Sequence, residues 1–224
     1  YSQIELRVMA HLSKDEALTK ALNDGEDIHT FTAKNVFNVK EDQDVLPEMR
    51  RIAKIVNFGI MYGAGSFRLS QELGIPFAES KKIIDVYFHK YKGIKQYMED
   101  TKLLVKKDKS VQTLLGRKRA VWDSDSQNQV RRDAAERMAI NMPIQGTAAE
   151  MIKLAMIRID KDLKENNLKS KLILQIHDEL LLEVHNNEID YVTEMVVKHM
   201  KNAMDLDVPI EIDCGVGSSW YEAH

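Results

Sequence analysis

At 224 residues the chain is long enough for one large domain or two smaller ones, and 44% hydrophobic residues support a real core. No apolar run approaches the roughly 18 residues of a membrane span, no basic stretch followed by an apolar segment opens the chain, and the single cysteine, Cys214, excludes internal disulfides and suits a reducing compartment. A net charge of −3 argues against gripping nucleic acid by charge over the whole surface. The charge is unevenly spread, however: seven Lys or Arg between Lys102 and Arg119 stand against one acid, Asp108, and Arg131, Arg132 and Arg137 follow. A local basic tract on a mildly acidic body still suits DNA.

Taken in order, Tyr1 to Leu6 carries no start signal and reads as already inside an element, so the front of a larger protein is expected to be missing. Ser13-x-x-Glu16 has the form of a capping box opening a short helix that ends near Gly25. Asp27 caps a helix over Ile28 to Phe37, and Pro47 fits the first turn of a long central helix. Ser66 caps a helix ending at Gly74, Pro76 opens another to about Lys92, Gly93 breaks the chain, and a lysine-rich helix runs on to about Lys107. Val111 to Leu115 reads as a strand and Gly116 to Arg119 as a basic turn. A helical pattern over Gln127 to Asn141 is interrupted at Pro143 and resumes to about Asn166. Strands at Lys171 to Ile176 and Leu180 to Val184 flank His177-Asp178-Glu179, a helix covers Ile189 to Met204, and Pro209 to Cys214 forms a last strand that buries Cys214. The sum is α+β, with a helical lobe inserted between strand-bearing ends.

Two stretches carry chemistry. In the central helix, Arg50, Lys54, Phe58 and Tyr62 recur every four residues along one face of a rod about 18 Å long. Two cations near its start and two rings near its end suit a ligand with an anionic tail and a flat head, such as a nucleoside triphosphate; a solvated amphipathic helix would show the same pattern. In the hairpin, adjacent carboxylates between apolar strands are costly unless something positive compensates. Mg²⁺, which prefers one or two carboxylates plus phosphate oxygens, would do so, and an ordinary polar turn is the alternative.

Together, Arg-x3-Lys-x3-Phe-x3-Tyr-Gly, the His177-Asp178-Glu179 hairpin and Tyr1-Ser2-Gln3-Ile4-Glu5-Leu6-Arg7 resemble the three polymerase motifs of family A DNA polymerases, the bacterial DNA polymerase I type. Asp27-Ile28-His29-Thr30, Leu115 to Arg119 and Asn141 to Thr147 look like family segments in the same order, so the resemblance spans the whole chain. It implies a palm with an antiparallel sheet and a mainly helical fingers lobe inserted: a truncated palm segment over residues 1–12, fingers over 13–120 and palm over 121–224. It implies DNA-templated addition of a deoxynucleoside triphosphate to a primer 3′-hydroxyl with two Mg²⁺ ions, primer-template DNA as partner, and a bacterial cytoplasmic, nucleoid-associated or organellar setting.

By the same resemblance, Arg50, Lys54 and His29 hold the triphosphate, Phe58 meets sugar and base, and Tyr62 stacks near the templating base. Gln3 borders the nucleotide, and Glu5 is the steric gate against a ribose 2′-hydroxyl. Phenylalanine at position 58, having no hydroxyl, implies poor use of dideoxynucleotides. Arg137, Asn141 and Gln145 track template and primer, Gln145 through minor-groove acceptors common to all base pairs. His177 lies near the primer terminus, Asp178 is a metal ligand, Glu179 a supporting carboxylate, and Tyr1 offers its backbone carbonyl to a metal. In the family an aspartate, the second metal-binding carboxylate, immediately precedes the residue matching Tyr1, and this span starts after it. The thumb, the earlier palm and any exonuclease domain also lie outside it. The expectation is a span inactive alone within an active parent polymerase. A phage-type single-subunit RNA polymerase shares the Arg-x3-Lys…Tyr-Gly helix but not Glu5 and Glu179. A non-catalytic DNA-binding module would retain DNA binding with no activity to lose.

Overall fold

A computed structural model describes residues 1–40 and 43–223. Among the described residues seven helices come first: α1 Ile4–Ser13, α2 Glu16–Asn23, α3 Ile28–Val36, α4 Pro47–Met61, α5 Ser66–Leu73, α6 Phe77–Lys90 and α7 Lys92–Asp108. A small antiparallel hairpin, β1 Ser110–Gln112 and β2 Lys118–Ala120, leads into the long helix α8 Gln129–Glu165. A second hairpin, β3 Lys171–Ile176 and β4 Glu179–Glu183, is followed by α9 Ile189–Lys201 and the short α10 Trp220–Ala223. The fold is α+β, helices with two small antiparallel sheets.

Apolar periodicity accounts for the main core. Leu6 and Met9 of α1, Val56 and Ile60 of α4, Tyr87 of α6, Ile94 of α7, Ile144, Met151 and Ile159 of α8, and Val192 of α9 belong to one buried cluster. A second, formed by Val105, Val111, Val121, Ala135, Ala139 and Met142, seats the β1–β2 hairpin on α7 and α8. Gly146 permits that seating, since a Cβ there would lie 2.6 Å from Thr113 Cγ2. The hairpin is also pinned by Leu114 N–H donating to Thr147 Oγ1 at 3.2 Å and Arg117 Nε to Glu150 Oε1 at 3.0 Å.

Several local expectations are corrected. Tyr1 to Gln3 precede α1 rather than lying inside an element, and Gln3, with φ 53°, turns the chain into the helix. Ser13 is the last residue of α1 and makes no capping box; Asp15 caps α2 instead, accepting from Leu18 N–H at 2.9 Å. Pro143 does not interrupt α8. The cost of proline in a helix, about 3 kcal/mol, is outweighed where Ala139, Ile140, Met142, Ile144 and Thr147 are all buried around it. Gly93 sits inside the first turn of α7, and the break falls at Tyr91. Arg119 and Lys118 of the expected basic turn belong to β2.

The expected strand at Pro209 to Cys214 is absent among the described residues. One backbone bond, Ser2 N–H to Glu211 O at 3.0 Å, is not a ladder, and Cys214 is exposed. What holds this segment is Arg7, a buried guanidinium of α1. Its Nη1 donates to Pro209 O at 2.5 Å, its Nη2 to Glu211 Oε2 at 2.5 Å and its Nε to Ser2 O at 2.9 Å. Trp220 opens α10 and is 49% exposed.

Asp15 reaches further than its own helix. Its Oδ2 also accepts from Gly93 N–H at 2.7 Å and Ile94 N–H at 3.3 Å, so one buried carboxylate caps both α2 and α7. A Cβ on Gly93 would lie 2.6 Å from Asp15 Cα, so glycine is what lets the two helix starts meet. Asp15→Ala orphans donors at two buried helix ends and is expected to cost about 2–4 kcal/mol in urea unfolding. A loss under about 0.5 kcal/mol, the range of ordinary surface changes, would contradict the double-cap role.

Candidate active site

Helix α4 forms because Pro47 presets its first turn and Ala53, Val56, Asn57, Ile60 and Met61 make one buried stripe. That leaves Arg50 and Lys54 exposed and Phe58 and Tyr62 half-buried beside the stripe. The rings of Phe58 and Tyr62 stack with centroids 6.2 Å apart, and the His29 ring lies 5.7 Å from that of Phe58. Gly63, at φ 73°, ends the helix against α8: a Cβ there would come within 2.8 Å of Arg137 Cγ. The row of rings therefore runs from His29 of α3 along Phe58 and Tyr62 of α4, and the end of α4 meets α8.

The cationic end is organised from α3. Asp27 caps that helix by accepting from Thr30 N–H at 3.3 Å and Thr30 Oγ1 at 2.6 Å, and it also receives Arg50, Nε at 2.6 Å and Nη2 at 3.2 Å. Burial disfavours the Asp27 charge, but hydrogen bonds from Arg50 and Thr30 outweigh it and hold the carboxyl well below the ordinary range. His29 is buried, which pushes its pKa down, and the neighbouring Arg50 and Lys54 push the same way against Asp27. Its protonation is fixed by Asn57. Thr32 Oγ1 donates to Asn57 Oδ1 at 3.0 Å, which orients the amide so that Nδ2 donates to His29 Nδ1 at 3.1 Å. The neutral ring then carries its proton on Nε2.

At the aromatic end three elements converge. The Tyr62 hydroxyl donates to Glu5 Oε2 of α1, and the Gln145 side chain of α8 is near enough to lower the Tyr62 pKa. Burial, first, and the proximity of Asp178 raise the Glu5 pKa against the lowering effect of the Tyr62 bond. Burial and the Glu5 contact raise that of Tyr62. Asp178 is held in the turn between β3 and β4, where His177 takes a left-handed φ of 53°, and the Tyr1 backbone nitrogen donates to Asp178 O at 3.1 Å. Glu5, Tyr62, Gln145, Asp178 and Tyr1 thus share one wall, joined to Arg50, Lys54 and His29 through Phe58. Glu179 opens β4 next to Asp178.

Other expected residues stand apart from these contacts. His177 is exposed at the turn, and Gln3 is the N-cap position of α1 without a side-chain cap bond. Asn141 keeps its Oδ1 buried with no hydrogen-bond partner, an acceptor left unsatisfied within the fold. Lys102 and Lys106 do not form a free basic face: Glu136 of α8 takes both, at 3.2 and 3.5 Å. Asp27 as partner of Arg50, and Asn57 as the residue that sets the His29 tautomer, were not singled out. A polar Asn57 on the apolar stripe of α4 was the signal available for the second.

Among the described residues no three His, Cys, Asp or Glu side chains gather as a self-sufficient metal cage, and no helix is long and apolar enough to cross a membrane. The backbone contact from Tyr1 to Asp178 brings the two residues side by side, and the Asp178 and Glu5 carboxylates lie within electrostatic reach of each other; carboxylate and backbone oxygens are the hard donors that Mg²⁺ takes alongside phosphate.

Known proteins resemble the chain along its whole length. A family model described as DNA polymerase family A matches residues 1–222. DNA polymerase I of Caldicellulosiruptor bescii is 48% identical over 222 residues, which are 99% of this chain and 26% of that protein. DNA polymerase I of Bacillus subtilis is 48% identical over 223 residues, 100% of this chain and 25% of that protein. The POL domain of Pol1 from M. smegmatis, solved in complex with DNA primer-template and dNTP, superposes with a TM-score of 0.96 at 45% identity, covering 100% of this chain and 39% of that one. The chain spans about a quarter of the length of the curated relatives it matches.

Proposed function

The chain belongs to DNA polymerase family A, and on that premise we propose that it carries the nucleotide-binding face and one catalytic carboxylate of a longer DNA-directed DNA polymerase. The observation that supports this most is the meeting of Glu5, Tyr62 and Gln145 from three separate helices, beside Asp178 and in line with the exposed cations of α4. In this reading residues 13–120 are fingers, and residues 1–12 and 121–224 are palm. The remainder of the parent supplies the other palm strands, the thumb and the second metal-binding carboxylate. The primer-template and dNTP bound to the M. smegmatis relative are the partners proposed here.

Arg50 and Lys54 grip the triphosphate as charge-assisted donors, and His29 adds its Nε2–H as a neutral donor. Phe58 places sugar and base. Glu5, held by the Tyr62 hydroxyl, occupies the space of a 2′-hydroxyl and so selects deoxynucleotides. Gln145 reads minor-groove acceptors shared by correct pairs, and Arg137 and Asn141 follow template and primer with it. The primer 3′-hydroxyl, giving its proton to solvent, bonds to the α-phosphorus as the α–β bridging P–O bond breaks; pyrophosphate departs, and Lys54 neutralises or protonates it. Asp178 and the Tyr1 carbonyl are the groups of this chain that would hold Mg²⁺; two such ions, when bound, would supply stabilisation of the negative charge that develops during transfer.

Primer extension by the parent polymerase, with deoxy- and ribonucleotides in parallel, tests the reading. The parent is expected to prefer deoxynucleotides, and Glu5→Ala to narrow that preference by about 10²-fold or more. Residues 1–224 alone are expected to show negligible extension. Equal use of both sugars by the parent would point to the RNA polymerase alternative. Robust Mg²⁺-dependent extension by the isolated span would overturn the division of labour.

A further inference from the structure

Asp27 has a second function beyond capping α3. The guanidinium of Arg50 offers five N–H donors. Asp27 takes two of them, Nε at 2.6 Å and one Nη2 hydrogen at 3.2 Å, so a single edge of the fork is fixed and the opposite edge stays available. The same carboxylate is itself fixed by Thr30, through Oγ1 at 2.6 Å and N–H at 3.3 Å, on the first turn of a helix whose next residues include His29. Arg50 is 49% exposed on its own and would otherwise sample many rotamers.

We propose that Asp27 is a positioning residue that locks the Arg50 fork, presenting its free edge to the triphosphate beside His29 and Lys54. It costs Arg50 part of its net charge and returns a single orientation, so binding does not have to order a loose side chain. The inference rests on α4 being the triphosphate-binding face. It also gives Thr30 a part: the threonine hydroxyl holds the carboxylate that holds the arginine.

The test is steady-state nucleotide incorporation by the full polymerase carrying Asp27→Ser, Asp27→Asn, Arg50→Ala or Asp27→Ser with Arg50→Ala. Serine keeps a cap acceptor without the fork, and asparagine keeps the shape without the charge. Both are expected to raise the KM for the deoxynucleotide by about 5–10-fold, the effect of ordering one long side chain, with a smaller change in kcat. The double variant is expected to match Arg50→Ala alone, because without Arg50 there is nothing left to position. A merely structural Asp27 would lower the melting temperature and multiply with Arg50→Ala, which overturns the proposal. An unchanged or lowered KM in both Asp27 variants also overturns it, the latter meaning that Asp27 competes with the triphosphate. Arg50→Ala with an unaltered KM would remove the triphosphate reading itself, and the proposal with it.

Discussion

Replacing Asp178 by alanine in the polymerase that contains this span is expected to lower the rate of nucleotide addition by about 10³-fold, or some 4 kcal/mol of transition-state stabilisation, while primer-template affinity changes little. The reasoning is positional. Asp178 lies in a tight turn that His177 makes possible by adopting a left-handed φ of 53°, between two strands paired from Lys171 opposite Glu183 to Ile176 opposite Glu179. The turn is tied to the start of the chain through the Tyr1 backbone nitrogen. A carboxylate held there, close enough to Glu5 to raise that residue's pKa, sits where positive charge is wanted. Its loss leaves in place the residues of α8 proposed to follow the DNA, so single-turnover quench kinetics and a binding titration should separate. A variant with normal turnover, or one that loses DNA binding in proportion to rate, would count against Asp178 as a metal ligand.

The second large effect is expected at Lys54. Arg50 is balanced by Asp27, whereas among the described residues Lys54 has no ion-pair partner, so it is the uncompensated cation of the α4 face. In the proposed reading, a compact ammonium one turn along from Arg50 meets the charge that grows on the leaving pyrophosphate, and such groups matter more in the transition state than in the ground state. Lys54→Ala is therefore expected to reduce kcat/KM by about 10²–10³-fold, chiefly through kcat. Arg50→Ala is expected to act mainly through KM. A Lys54→Ala variant milder than Arg50→Ala under single-turnover conditions would contradict this assignment of roles.

Both effects concern residues that the sequence exposes by spacing. Arg50, Lys54, Phe58 and Tyr62 are legible because a helix repeats its face every three to four residues. Asp178 is legible because acids between apolar strands are out of place. Helix positions followed from the same local rules: Asp27, Pro47 and Gly74 mark ends that the fold respects. What the sequence hid were contacts between distant segments. Asp15 is hidden behind the Ser13-x-x-Glu16 pattern in the chain and is a double cap in the fold, because Gly93, 78 residues away, brings α7 to it. Pro143 looks like a break until its buried neighbours are counted. Arg7 reads as one more helix cation, yet it holds the segment around Pro209, which extended residues alone suggested was a strand. Within the site, Asp27 was visible as a cap and invisible as the partner of Arg50, since nothing local says that a residue 23 positions later will share its carboxylate. Asn57 stands out as a polar residue on the apolar stripe of α4, but its partner His29 lies on another helix and is seen only in the fold.

The most direct measurement is a crystal structure of the polymerase containing this span, bound to primer-template DNA, a non-hydrolysable deoxynucleoside triphosphate and Mn²⁺ in place of Mg²⁺, with anomalous data collected. The expected result is triphosphate oxygens against Arg50 and Lys54, the sugar against Phe58 and Glu5, and an anomalous peak about 2.1 Å from an Asp178 carboxylate oxygen. A triphosphate lying away from the α4 face, or a peak that does not touch Asp178, would contradict it.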